Sequence, residues 1–252
     1  MRARNVFLRL LRLLLVVLIL AVGGFVLWAS LAAQAMPEAI QALESDSSVH
    51  VSTEPWLVFE PQGSSPQVGL VFYPGGRVDP RAYAPAMHAF ASQGVLAVIV
   101  PMPLNLAVFD PGAAADVIAA NPGIQHWAVG GHSLGGSMAA NFARRNPDLV
   151  EGLLLWASYP AGSDDLSGSG LAVTSIYATK DGLTSLADIQ SSAALLPPDT
   201  IWVALEGGNH AQFGWYGEQS GDQPASISHA QQQDRVIAAS LDLLCGLGEC
   251  AR

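Results

Sequence analysis

A serine stands between glycines in Gly131-His132-Ser133-Leu134-Gly135, directly after the apolar run Trp127, Ala128, Val129 and just before a helical pattern. Strand, sharp glycine turn and helix form the context in which such a serine becomes a nucleophile. The turn strains its backbone and lifts the hydroxyl above the sheet edge. Flanking glycines are needed because a Cβ on either side would clash. The bland alternative is a glycine-rich turn with a bystander serine, and this chain has 25 glycines. Gly136 and the apolar strand argue against it. The chemistry is then nucleophilic attack on an acyl carbon, which also requires a base, an acid to orient that base, and an oxyanion hole.

The base belongs in a loop after the last core strand. Glu206-Gly207-Gly208-Asn209-His210 follows the apolar run 201–205, which places His210 there. His229, opening the final helix, is its main rival. His88 and His126 fall on or beside helices, His50 precedes the first core strands, and the side chain of His132 is expected to point away from the nucleophile. For the acid, Asp181 follows the strand-like run 173–178 in Lys180-Asp181-Gly182. Asp164 and Asp165 are its rivals, in a Gly/Ser-rich loop that reads as solvated. The oxyanion hole needs two backbone N–H groups aimed at the developing charge. Leu134, next to the nucleophile, supplies one. Tyr73-Pro74-Gly75-Gly76-Arg77 supplies the other, with Gly76 as donor and Arg77 as the adjacent alternative.

These residues need a scaffold that brings loop ends together. Strand-like runs at 56–59, 68–73, 95–100, 127–130, 150–156, 173–178 and 201–205 alternate with helical segments at 83–92, 112–120, 134–145, 185–195 and 229–244. That alternation implies an α/β fold: a mostly parallel central sheet flanked by helices. Right-handed crossovers then put the strand C-terminal ends on one edge, where open α/β sheets carry their sites. Each candidate sits just past such a strand end.

The motifs around Gly76, Ser133, Asp181 and His210 together resemble the α/β-hydrolase superfamily, and most closely its compact bacterial branch related to dienelactone hydrolases. The resemblance runs from about residue 56 to 244 and implies a triad of Ser133, Asp181 and His210 in the order serine, acid, histidine. Dienelactone hydrolases use a cysteine nucleophile, whereas this chain has Ser133, which favours ordinary ester chemistry over lactone cleavage. The expected activity is a serine hydrolase cleaving a carboxylic ester or thioester through an acyl-serine intermediate. The alternatives are an acyltransferase using the same triad and a membrane-tethered binding domain without activity. No segment is long enough for a cap domain, so the site is expected to be open. Phe213, Trp215, Trp156 and Tyr159 are candidates for an apolar substrate pocket, and Met102-Pro103-Leu104-Asn105 also follows a strand towards it. No cofactor is called for, and no Cys/His cluster has metal-ligand spacing.

The net charge is −10, and Arg2, Arg4, Arg9 and Arg12 all precede the first acid, Glu38. The remainder is therefore strongly acidic and would repel phosphate backbones, which argues against nucleic acid as a partner. A small-molecule or lipid-like ester is the expected substrate. Residues 13–33 carry no charge and are long enough for a membrane helix. The arginines before them keep the N-terminus inside and export the rest. The expected organisation is an anchor or signal segment at 1–36, a connector at 37–54 and the catalytic domain at 55–252. Ala33-Gln34-Ala35 is also an A-x-A pattern that a signal peptidase reads, so secretion after cleavage is the alternative to a retained anchor. Cys245 and Cys250 can pair in an exported chain or stay free thiols.

Overall fold

Alternate residues of the strand Val68–Tyr73 serve two cores, and this organises the molecule. Leu70 and Phe72 face one side, with Phe59, Tyr83, Phe90 and Trp156. Val71 and Tyr73 face the other, with Trp127, Phe142 and Leu153. A strand buried on both faces belongs to a sheet covered on both faces, as its continuous apolar sequence requires. The computed structural model describes residues 2–250.

The elements in chain order are α1 (Arg2–Ser30), α2 (Pro37–Gln41), β1 (Val49–Ser52), β2 (Leu57–Pro61), β3 (Val68–Tyr73), α3 (Ala84–Ser92), β4 (Leu96–Ile99), α4 (Ala114–Ala120), β5 (His126–His132), α5 (Leu134–Arg145), β6 (Gly152–Trp156), β7 (Ala172–Ala178), α6 (Leu186–Ser192), β8 (Ile201–Leu205) and α7 (His229–Leu247). They build one eight-stranded sheet in the order β1-β2-β4-β3-β5-β6-β7-β8. The run from β4 to β8 is parallel. β1 pairs antiparallel with β2, and β2 with β4. This is the mostly parallel, helix-flanked sheet that the alternation of segments implies.

The stretch 37–54, expected as a connector, holds α2 and the edge strand β1. Its strand signal is only Val49-His50-Val51, and it enters the sheet because Val49 is fully buried in the core beside β2. The rank of parallel strands sets the site. Tyr73 lies level with Gly131, His132 with Trp156, and Ala178 with Leu205. The loops carrying Gly76, Ser133, Asp181 and His210 thus leave one edge together.

Residues 13–30 of helix α1 are apolar on every face, and Phe7–Ser30 is a candidate membrane span by length and composition, its most apolar stretch standing clear of the core. At about 1.5 Å per residue it is long enough to cross a hydrocarbon layer of about 30 Å. At the other end of the chain, Cys245 and Cys250 form a disulfide.

Phe142 on α5 is 1% exposed, on the face of that helix turned to the core. Phe142→Ala is expected to lower unfolding free energy by about 3–5 kcal/mol. Urea denaturation should show a reduced midpoint with an unchanged slope.

Candidate active site

Ser133 occupies the turn between β5 and α5 with φ 52° and ψ −124°, a backbone conformation costly for any residue with a Cβ. The surroundings enforce it. Its N–H donates to Trp156 O at 2.9 Å, and its own carbonyl accepts from Ser158 Oγ at 2.6 Å. A Cβ on Gly135 would run into the carbonyls of Tyr73 and Pro74, so only glycine lets α5 approach the end of β3.

His210 is fully buried, and its Nδ1 donates to Asp181 Oδ2 at 2.8 Å. The other carboxylate oxygen accepts the N–H groups of Leu183 (2.8 Å) and Thr184 (2.6 Å). With both oxygens engaged, the acid has one orientation. The Nδ1–H donation leaves the His210 Nε2 lone pair free, and this buried atom has no hydrogen-bond partner. The Ser133 hydroxyl lies on the same edge but makes no hydrogen bond to it among the described contacts. Apo sites often show such a contact open, with closure on substrate binding.

The chain thus brings His210, not His229, to Asp181. His229 stacks on Trp215 at 3.9 Å between ring centroids, away from this pair. Asp164 differs from its expected solvated state: it is 4% exposed and accepts from Asn141 Nδ2 on α5. Its partner is 23 residues distant in sequence, which the Gly/Ser-rich composition of its loop conceals.

Gly76 and Leu134 are neighbours, since a Cβ on Gly76 would sit 3.1 Å from Leu134 Cδ2. The Arg77 N–H donates to Asn105 O at 2.8 Å, which commits it elsewhere and leaves Gly76 as the loop's candidate donor.

A cleft of about 310 Å³ opens at Ser133, between Leu134, Ser158, Tyr159, Leu183 and Thr184. Of the four aromatic candidates only Tyr159 lines it. Trp156 is in the core with its indole N–H on Ser240 Oγ at 3.0 Å. Phe213 is fully buried against His132, and Trp215 is held by His229. Position after a strand end indicates proximity to the site but not side-chain direction.

Asp222 and Tyr83 escaped the sequence reading, as did the partners of His132. Asp222 joins the loops of Asp181 and His210, accepting Gly182 N–H on one oxygen (2.9 Å) and Ala211 N–H on the other (2.8 Å). The His132 ring packs against that of His210, with 4.5 Å between ring centroids. Tyr83 accepts the Gly75 N–H at 3.0 Å, which leaves its hydroxyl proton for His132 Nδ1 at 2.9 Å. Neutral His132 therefore carries its proton on Nε2. No local pattern announces these contacts, because each partner is brought by a distant segment.

Burial, with His210 alongside, holds His132 well below the usual histidine range. Among the described residues, no group of three or more His, Cys, Asp or Glu side chains is placed to hold a metal ion.

The profile of the alpha/beta hydrolase family matches residues 69–234, and the chain belongs to that family. A CIB-like hydrolase from Thermoplasma acidophilum superimposes with a TM-score of 0.58 at 14% identity, covering 79% of this chain and 99% of that one. The carboxylesterase CesB of Bacillus subtilis gives a TM-score of 0.57 at 15% identity, covering 83% and 95%. No curated protein matches the chain by sequence.

Two predictions follow from this geometry. Asp222→Ala removes the acceptor shared by both loops and should slow covalent labelling of Ser133 by about tenfold, with the unfolding midpoint falling by less than for Phe142→Ala. His132 stays neutral when folded, whereas the unfolded chain protonates it below about pH 6.5. The unfolded state then binds more protons, so stability falls as pH drops below about 6.5. Burial of His229 acts in the same direction. Urea midpoints at pH 7.5 and 5.5 should show this decline, and His132→Gln should shrink it.

Proposed function

We propose that this chain is a membrane-anchored serine hydrolase that cleaves carboxylic esters or thioesters through an acyl-serine intermediate. The observation that carries the reading is the Asp181–His210 pair, oriented with a free Nε2 on the edge where Ser133 is held in its strained turn. In the reaction His210 Nε2 takes the Ser133 proton as Oγ bonds to the acyl carbon. Asp181 stabilises the imidazolium without taking its proton. The carbonyl oxygen becomes an oxyanion facing the N–H groups of Gly76 and Leu134. As the tetrahedral intermediate collapses, the C–O or C–S bond breaks and the leaving group takes the proton from His210. Water, deprotonated by the same nitrogen, then releases the acid and restores Ser133.

The anchor is retained in this reading, and the catalytic domain lies outside the cytoplasm. Ala33, within the A-x-A pattern, donates its N–H to Arg77 O at 2.7 Å and accepts from Asp79 N at 2.9 Å, so cleavage after Ala35 would strip a strand-like bridge from the domain. The arginines before the span and the Cys245–Cys250 disulfide both suit export to an oxidising compartment.

A fluorophosphonate probe tests the triad. Full-length protein should be labelled at Ser133. Ser133→Ala should abolish labelling, His210→Ala should reduce it at least about a thousandfold, and Asp181→Asn should slow it substantially. Absence of labelling in folded wild-type protein would remove the serine-hydrolase reading.

A further inference from the structure

The outer end of α1 does more than tether the domain, because it forms a wall beside the candidate oxyanion hole. A cavity of about 590 Å³ lies beside Gly76, with an apolar wall from Trp28, Leu31, Leu106 and Leu134 and a polar wall that includes Arg77 and Glu218. Leu134 also lines the Ser133 cleft, so the two spaces meet at the residue following the nucleophile. We infer that the substrate is an ester-linked amphiphile of the bilayer itself, drawn laterally from the leaflet at the outer end of α1, with its hydrocarbon chain laid along the apolar wall of this cavity and its polar headgroup on the Arg77 and Glu218 side. The inference rests on the hydrolase reading above and adds the substrate class and its route.

Two observations carry it. The first is that the anchor is fixed to the catalytic loops rather than linked flexibly. Asn105 Nδ2 donates to Ala29 O at 3.2 Å, Arg77 Nη2 to Leu31 O at 2.8 Å, and Met36 N to Trp215 O at 2.8 Å. The Arg77 guanidinium stands over the Trp28 ring at 4.3 Å, a basic–aromatic pair suited to a headgroup layer. The cavity mouth therefore stays at one height relative to the span.

The second is the depth of the rim. The Phe109 ring lies 6.1 Å from that of Phe25, edge to face. Phe25 precedes the end of the span by five residues, about 7.5 Å along a helix axis. That falls within the roughly 5–10 Å immersion of interfacial apolar groups. Val108 and Phe109 are 45% and 50% exposed, and Leu31 is 62% exposed. The apolar surface of the rim thus continues that of the span. An ester in the adjacent leaflet needs no passage through water to reach it.

The test uses full-length protein in phosphatidylcholine vesicles and two substrates with one leaving group: water-soluble 4-methylumbelliferyl acetate, and 4-methylumbelliferyl palmitate dissolved in the bilayer. Two variants uncouple mouth and membrane: the double substitution Val108→Asp with Phe109→Asp, and a six-residue Gly/Ser insertion between Ser30 and Leu31. Each is expected to lower palmitate turnover by at least about tenfold while acetate turnover stays within about twofold of wild type. Retained acetate turnover also reports that each variant is folded. Equal loss on both substrates, no loss on palmitate in either variant, or wild-type turnover of acetate without palmitate would overturn the inference and leave the hydrolase reading standing. Turnover of neither substrate, without fluorophosphonate labelling, would overturn both.

Discussion

Ser133 holds a backbone conformation that costs on the order of 1–3 kcal/mol, and it persists only because neighbouring elements over-determine it. Its amide is tied to the end of β6, its carbonyl to Ser158, and Gly135 brings α5 against the end of β3. Those strands are in turn fixed by a parallel register buried on both faces. The same packing that stabilises the sheet therefore aims the serine. Any loosening of β3, β5 or β6 would let the turn relax to an ordinary geometry and lower the hydroxyl towards the edge.

The histidine is held by a different device. Its buried ring is oriented on one side by Asp181 and packed on another by His132, which Tyr83 ties to Gly75. Tyr83 and His132 thus link the loop of Gly76 to the ring that would move the proton. Asp222 makes a second link, between the acid loop and the histidine loop. Several loops that could drift independently are coupled through a few buried polar atoms. Such coupling is costly to lose, since each unpaired buried group carries a desolvation penalty of about 1–3 kcal/mol.

The parts legible in the sequence share a physical property. Strand runs, the glycine turn and the residues just past each strand end depend on local composition and on the one-edge rule of parallel sheets, so Ser133, Asp181, His210 and the Gly75-Gly76 loop could be found by position alone. What stayed hidden depends on direction or on distant partners. Trp156, Phe213 and Trp215 follow strand ends as expected, yet their rings turn into packing rather than the cleft. Asp164 looked solvated until Asn141 was brought beside it. β1 carries too few apolar residues to be read as a strand, and it joins the sheet through pairing with β2.

The disulfide near the end of α7 marks the opposite pole of the molecule. Gly248, inside the Cys245–Cys250 loop, lies against Val68 and His126, the residues that begin β3 and β5. The candidate site and α1 are at the far ends of those strands, some 20 Å away at about 3.3 Å per residue. A protein or solid support joined at this pole would hang on the side remote from both α1 and the candidate site. The fold therefore offers a built-in handle for display, with the cleft at Ser133 left free.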